Sequence, residues 1–101
     1  MPQTLPSLWE YDIMNTKLDE RDELMVILME ECNELAIEVS KMIRFGYDNN
    51  SKLESEVGDV MCMLNLLHEW DLISWNNVEA CADAKREKLK TWSNLTLGDA
   101  A

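Results

Sequence analysis

The chain has 101 residues, of which 47% are apolar, and its 20 acidic and 9 basic side chains give a formal net charge of −11. This length fits one domain spanning residues 1–101, and the apolar content excludes intrinsic disorder. The charge argues against unaided binding to nucleic acid or anionic membranes, because both are polyanions. A protein this acidic would need divalent cations to handle a polyanion.

The sequence has no basic and apolar leader and no apolar run of membrane-spanning length. Its three cysteines, Cys32, Cys62 and Cys81, have no paired spacing and lie among apolar residues. This pattern predicts reduced thiols in the core of a cytoplasmic protein. No Cys/His cluster suggests a zinc site.

Residues that favour helices dominate the sequence, and no alternating strand pattern flanked by turns occurs. An N-terminal arm or short helix, residues 1–17, is the first predicted element. A long helix follows from about Asp19 to Phe45 and is predicted to end at Gly46, since glycine tolerates positive φ.

Two further helices are predicted after a polar turn. Ser51–Glu54 (SKLE) has the capping-box pattern and begins a helix that continues to about Trp70. Ser74 is the expected N-cap of a helix over about Trp75–Trp92, and residues 93–101 form a frayed tail. The prediction is an all-α antiparallel bundle of about four helices, completed by oligomerisation.

Acidic side chains fall where apolar residues are expected on the first long helix. At about 100° per residue, Glu31, Glu34 and Glu38 lie within roughly 60° of one another. The same stripe contains Leu24 and Met42, whereas an ordinary amphipathic helix keeps its acids on the opposite face. A single pair of acids three residues apart is common on solvated helices. One such pair is therefore weak evidence for a functional site, and a second pair is needed.

The next helix supplies that second instance, because Glu56 and Asp59 lie on the same stripe as Val60, Met63 and Leu67. Buried unpaired carboxylates cost several kcal/mol each, so protons, basic side chains or metal ions must neutralise them. None of the nine bases is expected on the apolar stripe beside these acids. We therefore interpret the group as a site for Mg²⁺ or Mn²⁺, since oxygen-only ligands suit these ions.

These acidic motifs resemble those of a known enzyme family. Residues 28–35 (LMEECNEL) and 54–60 (ESEVGDV) are similar to the E-x-x-E, spacer, E-x-x-D signature of MazG-like all-α nucleoside triphosphate pyrophosphohydrolases. Residues 40–46 and 84–89 also resemble the small members found in bacteriophages and bacteria, and the similarity covers about residues 24–92. A phage-encoded member would act in the host cytoplasm.

The resemblance implies Mg²⁺-dependent hydrolysis of a nucleoside triphosphate, with a deoxynucleotide as first candidate, between the α and β phosphates. It implies that four acids hold the metal, namely Glu31, Glu34, Glu56 and Asp59. Glu38 is an additional candidate ligand, and Glu34 is the candidate that orients or deprotonates the attacking water. Two alternatives are the same fold acting on a guanosine alarmone or damaged nucleotide, and an inactive helical interaction module.

The remaining candidate residues are assigned by residue type and position. Candidates to hold the phosphates are the basic side chains Lys85, Lys88, Lys41 and Arg44, and the resemblance favours Lys85. Any one of them can equally be a solvated base that complements the C-terminus of its helix. Candidates for contact with the base or sugar are Trp9, Asn33 and Asn65, although most tryptophans anchor cores or interfaces.

One small core does not need all the apolar residues of the two long helices, among them Met25, Met29, Met61, Met63, Leu64 and Leu66. Together with the resemblance, this surplus predicts a homodimer or a dimer of dimers.

Overall fold

The computed structural model describes residues 18–47 and 49–98. Within these ranges the chain forms three α-helices and no strand. The helices are α1 (Glu20–Phe45), α2 (Ser51–Glu69) and α3 (Trp75–Trp92). The all-α prediction is confirmed, and each helix begins and ends close to its predicted residues. The predicted N-terminal element, residues 1–17, lies outside the described residues.

Both ends of α1 are set by local chemistry. The side chain of Asp19 accepts a hydrogen bond of 2.8 Å from the backbone N–H of Asp22, which caps the first turn. At the other end, Gly46 has φ 110°, and its N–H donates to the carbonyl of Met42 at 2.9 Å. Only glycine adopts this backbone conformation at little cost, so the helix ends there as predicted.

The start of α2 differs from the expected capping box. The N–H of Ser51 donates to Asn49 Oδ1 at 2.8 Å, whereas a capping box would direct it to the side chain of Glu54. The N–H of Glu54 makes an ordinary helical bond of 2.8 Å to the carbonyl of Asn50. The capping-box prediction is wrong because Asn49, two residues before Ser51, offers a nearer acceptor.

The chain divides into two compact units between Leu66 and Leu67, inside α2. In the first unit, a short connection joins the end of α1 to the start of α2. Glu31 of α1 lies near Glu56 and Asp59 of α2, so the two helices also approach each other away from that connection. The two helices are therefore antiparallel, as predicted. The buried apolar side chains of this unit lie on the stripes predicted from the sequence, namely Leu24, Met42 and Met63.

The second unit, from Leu67 onward, contains the last residues of α2, a turn and α3. Asp71 in the turn has φ 57°, a left-handed conformation that aspartate tolerates better than most residues. Ser74 occupies the N-cap position of α3, as predicted, without a side-chain hydrogen bond. After α3, the carbonyl of Gly98 accepts hydrogen bonds from Arg86 Nη2 at 2.9 Å and Nε at 3.1 Å. The chain thus returns beside α3 after this helix ends.

Many apolar side chains of the described residues remain exposed. Of those expected in excess of one core, Met25, Met29 and Met61 are exposed, whereas Met63 is buried. Leu64 and Leu66 are intermediate. None of the described helices has both the length and the apolar character that a membrane crossing requires.

The three cysteines are free thiols, as predicted, but each is exposed. The expectation of core positions for Cys32, Cys62 and Cys81 is therefore wrong. The physical reason is that each helix buries only a narrow stripe, so an apolar sequence neighbourhood does not imply a buried position.

Candidate metal centre

Three carboxylates from α1 and α2 converge in the first unit. One oxygen atom from each of Glu31, Glu56 and Asp59 lies within 4.8 Å of the other two. Glu56 and Asp59 share one face of α2 because residues three apart are neighbours on a helix, and Glu31 faces them from α1. Glu56 is buried, Glu31 is intermediate and Asp59 is exposed. We call these three residues the carboxylate triad.

The carboxylate triad fits a hard divalent cation. Its donors are all oxygen atoms, the ligands that Mg²⁺ and Mn²⁺ prefer. Around an octahedral Mg²⁺ neighbouring ligand oxygens lie roughly 3 Å apart, so small side-chain rotations would bring the triad to this spacing. The cluster also carries unbalanced negative charge. Burial raises the pKa of Glu31, and the nearby charges of Asp59, Glu56, Glu34 and Glu30 raise it further. A cation would relieve this repulsion.

The two other acids predicted for the metal site lie apart from the triad. Glu34 is exposed and is not a member of the close group, although its charge raises the pKa of both Glu31 and Lys52. Glu38 is buried with 9% of its surface exposed, and its charge also acts on Lys52. The predicted Glu31/Glu34 pair therefore contributes one close member, whereas both members of the Glu56/Asp59 pair join the triad.

A basic side chain lies directly beside these acids. Lys52 Nζ is 3.1 Å from Glu56 Oε1, and the Lys52 side chain is 62% exposed. The hydrogen bond to Glu56 and its charge raise the pKa of Lys52, burial opposes this rise, and the charges of Glu38 and Glu34 add to it. The expectation that no base would lie beside the acids is wrong. The sequence carried the signal, because residues four apart on a helix are neighbours.

The predicted phosphate-binding residues are exposed. Lys41 and Arg44 also lie on α1, at least ten residues after Glu31, which corresponds to about 15 Å or more along the helix axis. The Arg44 guanidinium lies over the ring of Phe45, 5.1 Å from its centroid. Lys85 and Lys88 lie on α3 in the second unit.

An apolar groove of about 620 Å³ lies in the first unit, and none of its lining residues belongs to the triad. Its walls come from the end of α1, the connection and the start of α2, and they comprise Val39, Met42, Ile43, Tyr47, Asn50, Leu53 and Glu54. The predicted base or sugar contacts Asn33 and Asn65 are exposed and do not line it. Trp9 lies outside the described residues.

A comparison with protein families identifies a matching family. The model of a family described as the MazG nucleotide pyrophosphohydrolase domain matches residues 19–91. This range contains α1, α2, both acidic motifs and nearly all of α3. No curated protein and no solved structure matches the chain.

Proposed function

The chain belongs to the MazG nucleotide pyrophosphohydrolase family, and we propose that it hydrolyses a nucleoside triphosphate between the α and β phosphates in a Mg²⁺-dependent reaction. The products are a nucleoside monophosphate and pyrophosphate, and a deoxynucleotide is the first candidate substrate. The observation that carries the proposal is the convergence of Glu31, Glu56 and Asp59 from two helices. A triphosphate would be repelled by a chain of net charge −11, so a cation between the two is the simplest means of binding.

Each acid of the centre has a proposed part in this reaction. Glu31, Glu56 and Asp59 would hold the cation, which supplies neutralisation of the phosphates and activation of water when bound. Glu34 is exposed and lies outside the close group while still acting on Glu31 by charge, which suits a residue that orients or deprotonates the attacking water. Glu38 is a further candidate ligand, because it is buried and its charge reaches Lys52.

The substrate contacts beyond the metal are proposed from residue chemistry. Basic side chains that suit the β and γ phosphates are Lys85, Lys88, Lys41 and Arg44, all of which are exposed. The proposed contacts of the base or sugar remain Trp9, Asn33 and Asn65. We also propose a cytoplasmic homodimer or dimer of dimers, supported by the exposed apolar side chains of both long helices.

The proposal is tested by incubating the protein with Mg²⁺ and a panel of ribo- and deoxyribonucleoside triphosphates. The panel also contains a guanosine alarmone and an oxidised nucleotide. Release of pyrophosphate and of orthophosphate is measured separately, because cleavage between the α and β phosphates yields pyrophosphate first. We expect pyrophosphate release from at least one triphosphate and no release when EDTA removes the cation.

Matched variants connect this activity to the triad. Asp59→Asn and Glu56→Gln should each lower kcat/KM by at least about a hundredfold, since each removes a charged ligand with little change of shape. Glu69→Gln is the control, because it removes one exposed carboxylate from the same helix outside the triad. Undiminished turnover in both triad variants would refute the proposed site, and no turnover on any nucleotide would favour an inactive interaction module.

A further inference from the structure

Lys52 occupies a position that the stability of α2 alone does not explain. It lies in the first turn of the helix, where the helix dipole disfavours positive charge. Its partner Glu56 follows it by four residues, and this order of base before acid is the weaker of the two helical arrangements. An ordinary surface ion pair in such a place contributes little to folding.

The surroundings of Glu56 indicate that this ion pair serves the triad and not the stability of the helix. The Glu56 side chain is only 8% exposed, and its carboxylate belongs to the triad with Glu31 and Asp59. A buried carboxylate beside two others needs positive charge nearby. Lys52 supplies that charge from a side chain that is 62% exposed, so the ammonium reaches the cluster from the solvent side.

The charge balance of the site leaves room for one positive side chain in addition to a divalent cation. The triad carries three negative charges when ionised, a divalent cation would cancel two of them, and one ammonium group would cancel the third. The ion pair uses Oε1 of Glu56, and a carboxylate has a second oxygen with which it can bind metal. Lys52 and a divalent cation can therefore share Glu56.

We propose that Lys52 is a positioning residue that holds Glu56 within the metal-free triad and limits how tightly a divalent cation binds there. This inference rests on the proposed function, in which Glu31, Glu56 and Asp59 would hold a divalent cation. A positive charge at the edge of the site repels the incoming cation, and it also lowers the repulsion among the acids that the cation would otherwise relieve. Both effects weaken cation binding.

Binding of Mn²⁺ in the absence of nucleotide tests this role, with free Mn²⁺ followed by electron paramagnetic resonance. Lys52→Met removes the charge and keeps much of the side-chain length, so it should tighten Mn²⁺ binding by at least about fivefold at low ionic strength. Lys52→Arg keeps a charge that can pair with Glu56 and should bind Mn²⁺ within about twofold of the wild-type protein. Added KCl should reduce the difference between Lys52→Met and wild type, because salt screens exposed charges.

Arg21→Met is the matched control. Arg21 is an exposed base in the first turn of α1, as Lys52 is in α2. Its replacement therefore changes the net charge by the same amount and also removes a base from the N-terminus of a helix. It lies ten residues from Glu31, about 15 Å along the helix, and should leave Mn²⁺ affinity unchanged.

Equal affinities for Lys52→Met and Arg21→Met would overturn the inference, as would weaker binding by Lys52→Met. Weaker binding would mean that the charge of Lys52 does not limit the affinity of the triad for a divalent cation. Failure of the inference is distinguishable from failure of the proposed function, because the latter appears as wild-type protein that neither binds Mn²⁺ nor hydrolyses any nucleotide. Mn²⁺ binding that is equal in all variants, together with nucleotide turnover, rejects the role of Lys52 alone.

Discussion

Replacing Glu31 by Gln should have opposite effects on stability without and with Mg²⁺. In the metal-free protein, oxygen atoms of Glu31, Glu56 and Asp59 lie within 4.8 Å of one another. Two unit charges at this distance repel by about 0.9 kcal/mol in bulk water and by about 3.5 kcal/mol at an effective dielectric constant of about 20. Because Asp59 is exposed, the water-like value is the better guide.

Glu31→Gln removes two such repulsions, so we expect it to stabilise the metal-free fold by about 1–2 kcal/mol, which corresponds to a rise in Tm of about 4–16 °C for a domain of this size. Mg²⁺ should reverse the order. At a concentration of about 100 times its Kd, a ligand stabilises the folded state by about 2.7 kcal/mol, and the variant should lose most of this gain because it lacks one charged ligand.

Thermal unfolding followed by circular dichroism, at one protein concentration, measures both effects in EDTA and in MgCl₂. Glu79→Gln is the matched control, since it removes an exposed carboxylate from α3 outside the triad. Its Tm should respond to Mg²⁺ as the wild-type Tm does. A Glu31→Gln protein that melts below wild type in EDTA and gains as much from Mg²⁺ would refute the argument that repulsion within the triad is relieved by a cation.

The remaining predictions concern the fold and assembly. Met42→Ala should cost about 2 kcal/mol, at the low end of the range for buried methionine because this core is small, and urea unfolding would measure it. Gly46→Ala should lower stability by about 1–3 kcal/mol because φ is 110° there. Gly58→Ala should raise it by about 0.5–1 kcal/mol, because a methyl group at this helical position has no atom within 4 Å beyond the adjacent residues and the backbone of its own helix. Sedimentation at micromolar concentration should give at least a dimer, and a monomer would contradict the predicted assembly.

The helices could be predicted from the sequence because their signals are local. A cap at Asp19, a glycine at position 46 and a period of 3.6 residues define α1 within a few positions. The same period placed Met42 and Met63 on the buried stripes, where the structure has them. The start of α2 was less predictable, because Asn49 and Glu54 are competing acceptors for one N–H and their sequence spacing alone does not rank them.

The site was predicted in part, because a helical wheel gives the angle of each residue but not the reach of its side chain. Glu56 and Asp59 come together with Glu31 as their angles suggest, whereas Glu34 has a similar angle and remains outside the close group. Lys52 was missed for a different reason, because the wheel itself places it beside Glu56. Residues four apart on a helix lie only about 40° from one another, and the Lys52 side chain pairs with the Glu56 carboxylate one turn away.

In the proposed reaction, the graded exposure of the triad would allow one centre to hold a cation and to admit a substrate. Glu56 is buried, with 6% of its surface exposed, so packing restricts its carboxylate. Asp59 is exposed on the same helix, and Glu34 is exposed on α1. Mg²⁺ characteristically keeps waters and accepts substrate phosphates beside one or two protein carboxylates. A fully enclosed set of acids would leave no room for phosphate, whereas a fully exposed set would hold the ion poorly; a buried anchor with an exposed neighbour meets both requirements.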